Sequence, residues 1–500
     1  MATTKKIYDQ FLERTHELFT LQSIGAVLHW DKETFMPKKG IETRASQLQL
    51  LSGLSHDYLT NPKLGELIEQ LSEPQHAKNL SDTEQVNVRE MKRAYERSIK
   101  IPKKLSQEIS HINTMATEAW IEARKNDRFQ DVAPWLEKIV ALNRQYAKCL
   151  GFKNDYDALL DGYEPQATTA ELKPLFEKLR KELVPLVPWA MEKCEKFKPL
   201  RFATKFPIEK QTTLEKILLE KIGFDLDCGR LDISTHPFCT SFSGDVRITT
   251  RYQEENFCKS LLSVFHEGGH GLYEQGFLPQ HKNTPMAEAA SFGVHESQSR
   301  FWENIIGRSR PFWKYFTPIA KKYFPEVLAH VTDDQLFHYV NQVRPGFIRV
   351  DADEVTYNLH ILLRFEIEQE LINNGLKIAD LPEIWNSKMK AYLGITPPNN
   401  KLGVLQDIHW YSGGIGYFAT YTLGNLYSAQ WYQQMHKELP DVEKQIAQGE
   451  FLNILGWLRK NIHSKGQYYP AAKLCETVTK EPLNEKHFLN YLKNKYETFN

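Results

Sequence analysis

The sequence predicts a mainly α fold carrying one small antiparallel β-sheet. Apolar residues recur at helical spacing through most of the 500 residues. One run, 236–252, departs from that spacing and is rich in Thr, Val, Ile and aromatic residues around a Ser243-Gly244-Asp245 turn signal. Nothing repeats at a fixed period and no linker stands out, so residues 1–500 read as a single domain.

The elements follow in chain order. From Tyr8 to Leu28, Phe11, Leu18, Ile24 and Leu28 recur among charged residues, the pattern of an amphipathic helix. Similar periodicity predicts helix within 41–72, 83–99, 103–127 and 131–149. It continues from Ala170 to Glu195, where Pro185 and Pro188 are expected to kink or break the helix. Lys, Pro and Phe alternate without period over 196–212, which reads as a loop. The hairpin of 236–252 comes next, and helix resumes near Glu254. Further on, Asp380-Leu-Pro-Glu383 is a helix start, with Asp380 as N-cap and an acid three residues later.

Composition excludes several functions. The 63 Lys+Arg and 63 Asp+Glu cancel to a net charge of 0, which argues against a nucleic-acid binder. Hydrophobic content of 41% and charged content of 25% describe an ordinary soluble globular protein. No stretch approaches the roughly 18 apolar residues of a transmembrane helix, so no membrane partner is expected. The basic N-terminus lacks the apolar run of a secretory signal. The six cysteines are scattered without a CxxC pair, which predicts reduced thiols in a cytoplasmic protein rather than disulfides or a cysteine-based metal site.

The strongest chemical signal is His266-Glu267-Gly268-Gly269-His270, set among Leu261, Leu262, Val264, Phe265 and Leu272. On a helix, residues four apart share a face, so both imidazoles can point at one Zn²⁺. Glu267 is then displaced around the helix, free to act on a water at the metal. The paired glycines cost a helix up to about 1 kcal/mol each, which suits a place where other backbone or a substrate approaches closely. A catalytic zinc site generally needs a third protein ligand. Glu296 lies far enough downstream to return on an antiparallel helix, and Glu288, His281 and His295 are the other candidates.

Beyond this pair the motifs form a set. They are His236-Pro237-Phe238, Asp245-Val-Arg247-Ile-Thr249, His266-Glu-Gly-Gly-His270, His295-Glu296-Ser-Gln298, Ile348-Arg349-Val-Asp-Ala-Asp353 and Gln406-Asp407-Ile-His409-Trp410. Leu28-His-Trp-Asp31 with Met36-Pro37 adds an N-terminal signature. In this order the sequence resembles the carboxypeptidase Taq family of metallocarboxypeptidases over most of its length. Ala419 in Gly416-Tyr-Phe-Ala-Thr-Tyr421 departs from the proline expected there. The resemblance implies a large helical zincin-type fold, with two helical halves flanking a deep central cleft. It also implies a homodimer and release of single C-terminal residues from peptides with broad specificity. It carries over His266, His270 and Glu296 as metal ligands and Glu267 as general base. One Zn²⁺ or Co²⁺ per chain is expected, since imidazole and carboxylate suit both.

Peptide hydrolysis needs more than a metal. The tetrahedral oxyanion needs further donors, for which His409 and Tyr417 are the candidates, joined by a flexible Ser-Gly-Gly-Ile-Gly run. The free α-carboxylate of a substrate is held best by a bidentate arginine. Arg349 leads because it sits in a family motif, its alternative role being an ion pair with Asp351 or Asp353; Arg247 follows. His236 and the strand around Asp245–Thr249 are expected to hold the substrate backbone by strand addition, with Asp245 orienting a neighbour. Tyr357, His360 and Arg364 share one helical face, as cleft lining or a solvated stripe. Gly414-Ile-Gly416-Tyr-Phe-Ala419 matches a dinucleotide fingerprint in letters only, because no apolar strand precedes it. The competing readings are a helical zinc oligopeptidase, a dipeptidyl carboxypeptidase and, remotely, a peptide-binding scaffold without chemistry.

Overall fold

The computed structural model describes residues 2–202, 204–242 and 244–499, and helices make up most of it. The first helix, Ala2–Thr34, buries Tyr8, Phe11, Thr15 and Leu18 on one stripe. The expected helix of 41–72 is two, Ile41–Leu59 and Pro62–Ser72. Asn61 caps the second by accepting from Lys63 N at 2.9 Å, and Pro62 occupies its first position, where a missing N–H costs nothing. Asp82–Lys100 opens on a capping box, Ser81 N donating to Glu84 Oε2 at 2.7 Å. Lys103–Asn126 and Phe129–Leu150 follow.

Thr169–Glu195 runs unbroken through Pro174, Pro185 and Pro188, against expectation. All three prolines are exposed while Leu172, Phe176, Leu179, Leu183, Leu186 and Ala190 are buried. The lost backbone bonds therefore face water, and the buried stripe holds the helix together. The loop predicted over 196–212 ends earlier, because helix Ile208–Ile222 begins after Pro207.

The sheet has three strands in the order β1-β3-β2: β1 Gly229–Ile233, β2 Cys239–Phe242 and β3 Asp245–Thr250. β2 and β3 form the expected antiparallel hairpin, with Phe242 opposite Asp245 and Cys239 opposite Ile248. Ser243 of the turn signal lies outside the described residues. β1 was not anticipated, and it pairs parallel with β3, which makes the sheet mixed. Its charged residues Arg230 and Asp232 hide the strand from a hydrophobicity reading, and they pair with each other at 2.6 Å.

The motif helix, Phe257–Glu274, starts three residues later than expected, where Asn256 accepts from Cys258 N at 3.1 Å. It lies on the sheet, where a Cβ on Gly271 would stand 3.3 Å from Ile248 Cγ2 and only 2.6 Å from Phe224 Cε2. Helix Leu381–Leu393 begins where expected, but Asp380 ends a 3₁₀ turn and makes no side-chain cap bond. One continuous apolar core runs from Leu105 to Phe499, and a smaller one joins the first helix to Pro62–Ser72 and Asp82–Lys100. Helix Ile41–Leu59 buries no residue in either. All six cysteines are free thiols. Among the described residues no helix is long and apolar enough to cross a membrane.

Candidate metal centre and cleft

Three helices build the centre. The motif helix presents His266 and His270, their rings 5.0 Å apart and nearly perpendicular. Helix Phe292–Arg300, capped by Ser291 accepting from Val294 N at 3.0 Å, carries Glu296. Helix Ala419–Glu438 backs it from the other side. Glycines set both spacings: a Cβ on Gly269 would stand 2.5 Å from the Gln298 carbonyl oxygen, and one on Gly424 would stand 2.6 Å from Glu296 Cγ. The Glu296 helix is therefore wedged between two glycine faces. The second motif glycine is there for backbone contact, and Gly424 was not foreseen.

Glu296 Oε2 faces both imidazoles, 3.7 Å from His266 Nε2 and 3.4 Å from His270 Nε2. Among the described residues, His266, His270 and Glu296 are the group whose donor atoms lie within 4.8 Å of one another. Two imidazoles and one carboxylate suit zinc or cobalt, and their remaining atoms are already engaged. His266 Nδ1 lies 2.8 Å from Glu303 Oε2, and His270 Nδ1 lies 3.1 Å from the His295 carbonyl. Arg300 Nε donates to Glu296 Oε1 at 2.7 Å. Burial opposes ionisation of Glu296, yet Arg300 and the two imidazoles hold it well below the usual carboxylate range.

The other third-ligand candidates sit elsewhere. His295 stacks on His270 with centroids 4.3 Å apart and directs Nε2 to Glu274 at 2.8 Å. Neither Glu288 nor His281 belongs to the donor group. Glu267 is buried at 6% exposure, and burial pushes its carboxyl up to about 7 against the pull of His266.

A cleft of about 1080 Å³ opens over this centre, lined by His266, Glu267, Arg300, Arg349, Tyr357 and Tyr421 among others. His409 and Tyr417 approach it through Tyr421. His409 Nε2 lies 3.3 Å from Tyr421 Oη, and the Tyr417 ring is 5.3 Å from the Tyr421 ring. Tyr421 was the phenol missed from sequence, although it lies only four positions beyond Tyr417, in the first turn of the helix that follows.

Arg349 pairs with Asp407 rather than Asp351 or Asp353, through Nε at 3.1 Å and Nη2 at 2.8 Å. Arg364 shares the same carboxylate, with Nε at 2.9 Å. Two buried guanidiniums thus flank one acid, and they drive Asp407 far below its ordinary value against the effect of burial. Tyr357, His360 and Arg364 do share a face, and all three are buried, so the solvated stripe is excluded. Asp353 instead accepts backbone N–H groups of Arg344, Val355 and Thr356 at 3.0 Å each.

On the sheet side, Asp245 orients Arg247 through two bonds of 2.8 and 2.7 Å. The guanidinium lies 4.2 Å from the Trp30 ring, so the N-terminal signature packs on the sheet. His236 is exposed beside Pro237, which lines the cleft. β3 is the central strand, so any added strand would have to pair with an outer one. Gly414–Ala419 forms turns leading into a helix with no strand before it, as the dinucleotide discount required.

Known proteins carry the same architecture. The family model described as carboxypeptidase Taq (M32) metallopeptidase matches residues 10–496. Thermostable carboxypeptidase 1 of Thermus thermophilus is 43% identical, with 99% of each chain covered. Thermostable carboxypeptidase 1 of Pyrococcus furiosus is 41% identical, covering 97% of this chain and 98% of its own. The crystal structure of the M32 carboxypeptidase from Deinococcus radiodurans superposes with a TM-score of 0.95 at 36% identity, covering 99% of both chains.

Proposed function

The chain belongs to the carboxypeptidase Taq (M32) family of metallopeptidases, and from that premise we propose how its own residues perform the reaction. It is a metallocarboxypeptidase, and its substrates are peptides. The proposed reaction is release of single C-terminal residues with broad specificity. The observation that carries it is the convergence of His266, His270 and Glu296, with His266 and the adjacent Glu267 lining the cleft.

Those three side chains would hold one Zn²⁺ or Co²⁺, which when bound supplies a Lewis acid and lowers the pKa of water to about 7. Glu267 takes the proton of the attacking water and returns it to the leaving amine. His409, Tyr417 and the cleft-lining Tyr421 form one hydrogen-bonding group that stabilises the developing oxyanion. Arg349 holds the substrate α-carboxylate: two guanidiniums share Asp407, so one positive charge at the cleft wall lacks a partner. His236 and Arg247 are the proposed substrate contacts on the sheet side.

The proposed working state is a single catalytic domain over residues 1–500, cytoplasmic and homodimeric. Six free thiols support a reducing compartment. Exposed Ile41, Leu50 and Leu54 on the second helix, with Phe35 in the turn before it, support self-association.

Product analysis by mass spectrometry tests the reaction, using one unstructured peptide as free acid and as C-terminal amide, with Zn²⁺ or Co²⁺ and with chelator. A ladder of single-residue losses from the free acid alone, stopped by chelator, is expected. Two-residue losses would make it a dipeptidyl carboxypeptidase, and cleavage of the amide an oligopeptidase. Glu267→Gln should keep the metal and lose turnover by at least about 100-fold; retained turnover would remove Glu267 from the general-base role.

A further inference from the structure

The backbone leaves its α-helical course directly after the third ligand. Residues Phe301–Ile306 form a π-helical turn that closes with Gly307 N donating to Trp302 O, five residues back, at 2.8 Å. A single wide turn of this kind is uncommon inside a helical run and recurs near functional sites. Here its consequence is visible in the side chains. Glu303 and Arg308 are five apart, a spacing that does not align on an α-helix, yet Arg308 Nη2 donates to Glu303 Oε1 at 3.2 Å. Arg300, three residues before, donates to Glu303 Oε2 at 3.3 Å. The opposite end of Arg308 is tied to Asn304 Oδ1 at 3.1 Å and to the Val340 carbonyl.

Glu303 is thereby held from both sides, and its Oε2 lies 2.8 Å from His266 Nδ1. The contact is asymmetric across the site, since His270 Nδ1 meets only a neutral carbonyl oxygen. An ionised carboxylate accepts a hydrogen bond from Nδ1–H, which fixes the imidazole tautomer with its Nε2 lone pair towards Glu296 and the metal position. Arg300 serves both ends, because its Nε binds Glu296 Oε1 and leaves Oε2 to face the imidazoles.

We propose that Glu303, clamped by Arg308 across the π-turn, is a positioning residue for the metal ligand His266. It sets that ring's tautomer and direction without touching substrate. The inference rests on the ligand set proposed above, so its test separates the two.

The test measures Zn²⁺ affinity of the full-length apo-protein by competition with a chromophoric chelator, together with the visible spectrum of the Co²⁺ form and the apo melting temperature. Glu303→Gln is expected to weaken Zn²⁺ by about 10- to 100-fold and to shift the Co²⁺ bands, with the apo melting temperature held. Glu303→Asp, which keeps the charge, should recover part of the loss. Arg308→Gln should weaken binding by a smaller factor, and it decides the matter alone if Glu303→Gln does not fold. Wild-type affinity and an unchanged Co²⁺ spectrum in the folded variants overturn the positioning role. A wild-type chain that binds no ion, or His266→Ala that binds as wild type does, overturns the ligand set itself and this inference with it.

Discussion

Arg349 and Asp407 face each other across the cleft wall in a bidentate pair, Nη2 to Oδ1 at 2.8 Å and Nε to Oδ2 at 3.1 Å. Arg364 completes the cluster by sharing Oδ2, so one carboxylate serves two cations. An arginine fixed in this way is rigid before substrate arrives, which reduces the ordering cost of holding a carboxylate. Arg349→Ala should lower kcat/KM on free-acid peptides by about 10- to 150-fold, the worth of a charge-assisted bond. An unchanged kcat/KM would move carboxylate recognition to Arg247 or another cation. Asp407→Asn should destabilise the fold by about 3–5 kcal/mol, because it leaves two guanidiniums buried without an anion; thermal unfolding reads this directly.

The two motif glycines should differ under the same substitution. On Gly269 an added methyl meets the backbone of Gln298 and Ser299 at 2.5–2.9 Å, and backbone cannot give way without moving Glu296. On Gly268 it meets Leu219 Cδ2 at 2.9 Å, the far end of a flexible side chain. Gly269→Ala should cost about 1–3 kcal/mol and weaken metal binding, while Gly268→Ala should sit near wild type on both counts. Equal effects in unfolding and metal titration would refute the close-packing account of Gly269.

Glu215 gives the fold a dependence on pH. It is 1% exposed on helix Ile208–Ile222, its Oε2 meets no donor, and burial pushes its carboxyl up to about 8 despite Ser260 and Tyr252. A raised acid favours the folded state while protonated. Its contribution is complete below the ordinary value of about 4.5 and is lost as pH rises through about 8. Glu215→Gln should therefore flatten the fall in melting temperature between pH 5 and 9 and gain most at the alkaline end. A slope identical to wild type would show that Glu215 ionises without cost.

Self-association should run through the N-terminal helices. Leu50, on the helix Ile41–Leu59 that buries nothing, is 64% exposed, and Phe35 ahead of that helix is 60% exposed. Light scattering of the purified chain should give twice the monomer mass, and Leu50→Glu should shift it towards the monomer. A wild-type monomer, or a variant dimer of undiminished stability, would rule this face out.

The sequence by itself determined whatever depends on nearest neighbours and on fixed spacing. The four-position spacing of His266 and His270 put both rings on one face, and the family motifs supplied Glu296 and Arg349 in a set order. Most helices were legible because their apolar stripes repeat along the chain, as from Lys103 to Leu150. Tertiary structure decided what depends on which surfaces meet. The three prolines of Thr169–Glu195 are tolerated only because they fall on its exposed side, and β1 is a strand only because β3 is there to pair with it. Arg349 found Asp407, 58 positions away, in preference to the acids beside it in sequence. Glu303 became a partner of His266 only because the Glu296 helix and its π-helical continuation pack against the motif helix. Short-range periodicity fixes which face a residue takes, but contact between residues far apart in sequence is set by packing, and packing has no local code.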